Sequence, residues 1–235
     1  MEISVKGMGS EQRKEYIKGK TQGNLDWVTT LTRKVDEGII TREKANLMIA
    51  RAMTAREIIT EFAKDKAKKD PLTDLYNKGA FVEEYERSIS RGERFALLII
   101  DIDNFKSINE KMGYLAGDSI LFQTALNLST HLRQLRENES ENDFIARWGG
   151  EEFAVLLKNV SRKEDLETAA EKLRKVTCER AFSVVINGAI QDVPITVSIG
   201  GKIHNGEGKD AFFESVDKGA LKQAKNTGKN RIVII

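Results

Sequence analysis

The sequence predicts an α+β fold, a mainly antiparallel sheet covered by helices and preceded by a separate helical segment. Three observations carry this. Apolar runs of strand length, such as Phe95–Ile100, alternate with stretches whose apolar residues fall three and four apart. Two strand-like runs, Phe144-Ile145-Ala146 and Phe153–Leu157, flank Gly149-Gly150, the residues that a two-residue hairpin turn demands. Asp70-Pro71 interrupts a long helical pattern, because proline disfavours helical geometry in the residue before it. Together they favour a sandwich of ferredoxin-like type that begins at residue 70.

The elements follow in order. Residues 1–23 are polar, punctuated by Gly7, Gly9, Gly19 and Gly23, and read as a flexible tail. Residues 24–69 read as a helical hairpin. Leu25, Val28, Leu31 and Val35 have helical spacing, Gly38 ends the first helix and Thr41 caps the second. In the second helix Ala45, Met48, Ala52, Ala55, Ile59 and Phe62 alternate steps of three and four, a seam of about three heptads that suits self-association. Packing within its own domain would leave the same pattern. Residues 70–235 form the globular domain. It opens with a helix over about 78–90, a strand at 95–101, a helix over 104–112 and a longer one over 118–136. The glycine hairpin follows, then a helix over 162–178 opened by a capping box at Ser161–Glu164. Strands at 182–187 and 193–200, a helix over 210–226 and a strand at 231–235 complete it.

Composition excludes several classes. The 235 residues are 40% hydrophobic, enough for one ordinary core. The longest apolar runs are about five residues where a membrane helix needs roughly 20, so no span is expected. The N-terminus lacks the apolar stretch of a secretory signal. A single cysteine, Cys178, forbids an intramolecular disulfide, and a reducing cytoplasm is the expected location. A net charge of +2, from 38 basic and 36 acidic residues, gives no electrostatic reason to expect nucleic-acid binding.

Four segments carry candidate chemistry. Asp101-Ile102-Asp103 ends the apolar strand, and carboxylates crowded there call for a hard cation, although Asp also ends strands for structural reasons. Phe105-Lys106 follows at once. In Arg147-Trp148-Gly149-Gly150-Glu151-Glu152-Phe153, the glycines let a ligand approach the backbone and the two glutamates point to opposite sides of the strand. One of them can join Asp101 at a metal. Asn109 and Asp118, on either side of a loop expected at 113–117, offer an amide and a carboxylate that can accept hydrogen bonds from guanine. Alternatively Asp118 caps a helix starting there. Lys225 and Lys229 flank a glycine turn suited to a polyphosphate, and also suited to a helix C-terminus.

Read together, these segments resemble the GGDEF family of diguanylate cyclases. The resemblance runs from Asp70 to the C-terminus. It includes Asp70-Pro71-Leu72-Thr73-Asp74-Leu75-Tyr76-Asn77, Asp101–Lys106, Asn109, Gly113–Asp118, Arg147–Phe153, Thr196–Gly200 and Ala224–Asn230. It implies a palm-like domain that joins two GTP molecules into cyclic di-GMP and releases two pyrophosphates, acting as a dimer of half-sites. It implies magnesium, with manganese as the alternative ion, held by Asp101, the Ile102 carbonyl and Glu151 or Glu152. One of the two glutamates would serve as base. Asn109 and Asp118 would read guanine, and Phe105, Lys106, Tyr114, Lys225 and Lys229 would complete the substrate site. The implied partners are GTP and a second copy of the chain, paired through the catalytic domains and the N-terminal helices. Those helices are also a candidate docking place for a protein partner. The alternative is a catalytically silent module that binds GTP or a cyclic dinucleotide; Asp101 and the intact Gly149–Phe153 motif weigh against it.

The sequence departs from the family pattern in places. Tyr114 stands where His is usual, Lys229 where Arg is usual and Lys222 where Tyr is common. Asp74 replaces a Gly of the opening motif, and Lys78-Gly79 replaces Arg-Arg. Lys229 keeps the charge but loses the bidentate fork. Ser140 occupies the arginine position of the Arg-x-x-Asp inhibitory site while Asp143 remains, so product inhibition through that segment is not expected.

Overall fold

The structure, a computed structural model, describes residues 29–135, 143–186 and 188–235. The chain divides into two compact units, Met1–Lys66 and Ala67–Ile235. In the first, residues 29–36 are helical (α1) and Arg42–Ala67 form α2. Gly38 turns the chain between them at φ +69°, and the Thr41 hydroxyl accepts the Lys44 N–H at 3.2 Å, the expected cap. Leu31 and Ala45 are buried, whereas Met48 and Ala52 of the seam are exposed. The side chains of Ala55, Ile59 and Phe62, and the tail at 1–23, lie outside the described residues.

The second unit is built on β2 (Phe95–Ile102), whose eight residues are all buried. Such a strand reads as a continuous apolar run because both its faces are covered. It pairs antiparallel with β4 (Glu152–Lys158) on one side and β7 (Val197–Ile203) on the other. β3 (Phe144–Gly149) pairs antiparallel with β4, and the short β1 (Tyr76–Asn77) and β8 (Ile232–Ile234) close the edges with parallel pairings. The order is β1-β3-β4-β2-β7-β8, mainly antiparallel as expected.

Strand alternation divides the core in two. Ala96, Leu98, Ile100 and Ile102 point to one side with Phe153, Val155, Val197 and Ile199. There they meet α4 (Phe105–Met112), α5 (Tyr114–Leu135) and α6 (Lys163–Cys178) through Phe105, Ile120, Leu128, Leu166 and Leu173. Phe95, Leu97 and Ile99 point the other way with Ala154 and Leu156, onto α3 (Lys78–Ser90) and α7 (Lys209–Glu214) through Phe81, Tyr85 and Phe212.

Five expectations are corrected. The hairpin turn is Gly150-Glu151, because Gly149 pairs with Glu152, so Glu151 sits in the turn and only Glu152 is on the strand. The strand expected over 193–200 is two strands, because Pro194 cannot donate to a ladder. β6 (Ala189–Val193) pairs with β5 (Phe182–Ile186) in a separate two-stranded sheet, and the main sheet resumes at Val197. The helix expected from 118 starts at Tyr114, directly after Gly113. The N-cap of α6 is Arg162, with no side-chain cap bond, so the Ser161 capping box does not form. The helix expected over 210–226 contains a π-helical segment, Ser215–Leu221, before α8 (Lys222–Asn226). Its buried residues Phe212, Val216, Ala220 and Ala224 recur every four positions. Each such step overshoots an α-turn of 3.6 residues, and the wider π-turn absorbs the excess.

The π segment lies hard against β7. A Cβ on Gly200 would fall 2.3 Å from the Leu221 amide nitrogen. Gly200→Ala is therefore expected to destabilise the protein by about 1–3 kcal/mol through forced backbone displacement. A lower urea midpoint at unchanged m-value checks this; an unchanged midpoint refutes the tight approach.

Candidate active site

Where the apolar run of β2 gives out, three strands bring polar residues together. Asp101 stands opposite Glu152 of β4 and Ser198 of β7. Alternation places Asp101 and Glu152 on the face that Leu97, Ile99 and Leu156 pack further along, so the carboxylates close the end of a core face. Asp101 is only 5% exposed. Lys225 of α8 reaches it, Nζ to Oδ2 at 2.6 Å. Burial pushes the Asp101 carboxyl up from its ordinary range; Lys225 opposes this, and Glu151 and Asp103 push it further up. Burial also pushes the Glu152 carboxyl up, Asp101 adds to it, and Lys225 opposes. The strand end thus carries more negative charge than its lysine neutralises.

Asp103, the other strand-end carboxylate, is spent differently. Its oxygens accept from Ser198 Oγ at 2.6 Å, Thr196 Oγ1 at 2.7 Å and the Asn230 N–H at 2.9 Å. Asp101, Glu151 and Glu152 remain as side-chain oxygen donors, with the Ile102 carbonyl, since the Ile102 side chain sits in the core. Among the described residues no three His, Cys, Asp or Glu side chains form a ready metal cage. Carboxylate and carbonyl oxygens are the donors that a hard divalent cation takes.

On the other side of the hairpin a cavity of about 740 Å³ is lined by Phe105, Lys106, Asn109, Tyr114, Asp118 and Glu151, among others. Asn109 lies within α4 and Asp118 within α5, so the expected 113–117 loop is the single residue Gly113, at φ +84°. Asp118 is in the second turn of its helix and caps nothing. The Asn109 Oδ1 is buried and has no hydrogen-bond partner. This oxygen rests against Gly117, so the amide must turn before a ligand donor in the cavity can reach it. Lys106 and Tyr114 are exposed at the rim. Lys225 and Lys229 do not line this cavity; they stand at the strand end, Lys229 Nζ being 2.6 Å from Asn104 Oδ1.

A family model described as "Diguanylate cyclase, GGDEF domain" matches residues 67–231. The chain belongs to the GGDEF family of diguanylate cyclases. It is 36% identical over 181 residues to the diguanylate cyclase DgcP of Pseudomonas aeruginosa, a match covering 74% of this chain and 25% of DgcP. Among solved structures it resembles the coiled coil and GGDEF domain of DgcB from Caulobacter crescentus in complex with c-di-GMP. There the TM-score is 0.71 at 27% identity, covering 82% of this chain and 98% of that one. It also resembles the diguanylate cyclase SiaD in complex with its activator SiaC from Pseudomonas aeruginosa. That TM-score is 0.63 at 26% identity, covering 96% of this chain and 84% of that one. The chain spans between 25% and 52% of the length of the first curated cyclase relatives it matches.

One site-shaping contact of this GGDEF domain was not apparent from the sequence. Arg147 donates to the Gly150 carbonyl from Nε at 3.0 Å and Nη2 at 2.8 Å, and its Nη1 lies 3.3 Å from Asp70 Oδ1. Burial pushes the Asp70 carboxyl up, but hydrogen bonds from the Thr73 hydroxyl and amide, with Arg147, hold it below its ordinary range. Asp70 stops the helix and opens the Asp70–Asn77 motif, and its Asp-x-x-Thr spacing is the signal for this turn. Ser140 lies outside the described residues. Asp143 accepts the Lys158 N–H at 2.7 Å.

A Cβ on Gly117 would fall 1.9 Å from Asn109 Oδ1. Asn109 can swing aside, so Gly117→Ala is expected to fold as well as the parent, alanine being favoured in a helix by roughly 0.5–1 kcal/mol. Affinity for a guanine nucleotide should fall about tenfold, the value of one buried hydrogen bond. Melting curves with and without GTP separate the two effects. A parent-sized shift with GTP removes Asn109 from the nucleotide site.

Proposed function

We propose that the chain condenses two GTP molecules into cyclic di-GMP, releasing two pyrophosphates, as a dimer of half-sites in the cytoplasm. The observation that carries this is the cavity in which the Asn109 amide and the Asp118 carboxylate share walls with Glu151 of the hairpin. The guanine edge presents adjacent N–H donors to such acceptors, and adenine does not. The triphosphate would run from there to the β2 end. The N-terminus of α4 has no side-chain cap, so the first-turn N–H groups after Asn104 are free to meet phosphate oxygens. Lys106, Lys225 and Lys229 add charge.

Asp101, the Ile102 carbonyl and Glu151 or Glu152 would hold magnesium or manganese. A bound ion lowers the pKa of the attacking hydroxyl and offsets charge on the phosphoryl oxygens. The 3′-oxygen of one GTP forms a bond to the α-phosphorus of the other, and the bond to the pyrophosphate oxygen breaks. One of the two glutamates accepts the hydroxyl proton. The second bond forms in the same way with the roles of the nucleotides exchanged. Each subunit brings one GTP, so a single copy is inactive.

The likeness to SiaD, named in complex with an activator, extends over the N-terminal part of this chain. It supports a protein partner or a second copy at the N-terminal helices. Ile39, Leu47, Met48 and Met53 there are exposed. Among the described residues no helix is long and apolar enough to cross a membrane.

Purified protein with GTP and magnesium should form cyclic di-GMP and pyrophosphate. Tight GTP binding without product would establish the silent regulator instead. Asp101→Asn, Glu151→Gln and Glu152→Gln should each lower turnover by about 10²–10³ with the fold intact. Near-parent rates in all three would overturn the metal assignment. Asp118→Ser should weaken GTP use and improve relative use of ATP; an unchanged GTP/ATP ratio in competition removes Asp118 from the base pocket.

A further inference from the structure

The chain between α8 and β8 follows an improbable path. Gly228, Lys229 and Asn230 have φ of +124°, +61° and +45° in succession. Only the first is glycine, and L side chains avoid this region. Consecutive residues stay there only where their surroundings over-determine them.

We infer that Asp103, assisted by Arg174, is a positioning residue that locks this loop and thereby sets Lys229 beside Lys225 at the end of β2. The inference rests on the proposed role of those lysines in holding GTP. Asp103 is 4% exposed, and both its oxygens are occupied. Ser198 and Thr196 fix it to the chain entering β7, and its own N–H donates to the Thr196 carbonyl at 2.9 Å. Its remaining acceptor capacity goes to the Asn230 N–H. From the other side Arg174 Nη1 donates to Asn230 Oδ1 at 2.5 Å. Glu171 grips that guanidinium with two contacts, at 2.8 and 2.6 Å, so its direction is fixed.

Asn230 is thus held at its backbone by β2 and at its side chain by α6. The loop's other end closes on α8, where the Lys229 N–H donates to the Ala224 carbonyl at 3.1 Å. Lys229 stands in this loop with its Nζ on Asn104, and Lys225, in the last turn of α8 just before it, reaches Asp101. Released from Asp103, the loop can relax to ordinary φ values, and Lys229 loses its fixed place beside Lys225. Asp103 therefore acts on nucleotide binding, whereas Asp101 acts on the chemical step.

The test uses the full chain carrying Asp103→Asn, which keeps the size of the side chain but not its charge, and Arg174→Gln, a change on a surface helix. Asp101→Asn is the contrast. Asp103→Asn should raise KM for GTP, and Kd for a fluorescent non-hydrolysable GTP analogue, about tenfold with kcat within about threefold. Arg174→Gln should act in the same direction by about threefold. In both, amides of residues 227–231 should exchange hydrogen faster in the nucleotide-free protein. Asp101→Asn should lower kcat and leave those amides protected. If both anchor variants keep parent affinity and parent exchange, the inference is wrong. A kcat loss at unchanged KM in Asp103→Asn is equally fatal, since it would place Asp103 in the chemistry. Arg174→Gln carries the test alone should Asp103→Asn fail to fold. The analogue and exchange readings need no turnover, so a parent that binds nucleotide yet makes no cyclic di-GMP overturns the proposed activity and leaves this inference standing or falling separately.

Discussion

Asp101 and Glu152 face each other across neighbouring strands at the covered end of a sheet, and the burial that pushes both carboxyls up sets what must stand near them. Like charges in a desolvated place are tolerated only with cations or donors close by. Lys225 meets part of that demand. Asp103, two residues along, escapes it because two hydroxyls and an amide surround it. Residues of one chemical type, a single residue apart, are thereby given opposite duties. One is buried beside other carboxylates with a single lysine on one of its oxygens. The other is saturated and serves the backbone.

The hairpin that carries Glu151 and Glu152 needs its own restraint, because a glycine pair fixes little by itself. Arg147 supplies it by gripping the Gly150 carbonyl while facing the Asp70 carboxylate. The first turn of the domain is therefore wired to the turn that presents the acids. The parallel pairing of β1 with β3 runs alongside this contact, Asn77 standing opposite Arg147.

Much of this was legible in the sequence. The long apolar strand, the glycine hairpin and most helices announce themselves through period and punctuation. The order of short motifs is specific enough to indicate the family before any geometry. What was not legible depends on partners distant in the chain. Nothing local shows that Pro194 separates two sheets rather than ending one strand. The spacing of Asn109 and Asp118 suggested a loop, where the fold makes a one-residue break between helices. The π segment is visible only as a four-residue recurrence, which resembles an ordinary helix until Gly200 is seen beneath Leu221. Asp101 and Asp103 read as a matched pair; only Ser198, Thr196 and Asn230, roughly a hundred or more residues away, distinguish them.

The two-stranded β5–β6 ribbon has a bearing on how the protein can be handled. It is joined to the main sheet through Pro194, and Gln123 of α5 tethers it by a bond to the Ser183 carbonyl at 3.1 Å. The outer residues Val185 and Ile190 are exposed, and none of its backbone belongs to the ladder that holds Asp101. The ribbon is a natural port: an affinity tag or a fluorophore carried by its exposed side chains would add mass outside the ladder that holds the carboxylates.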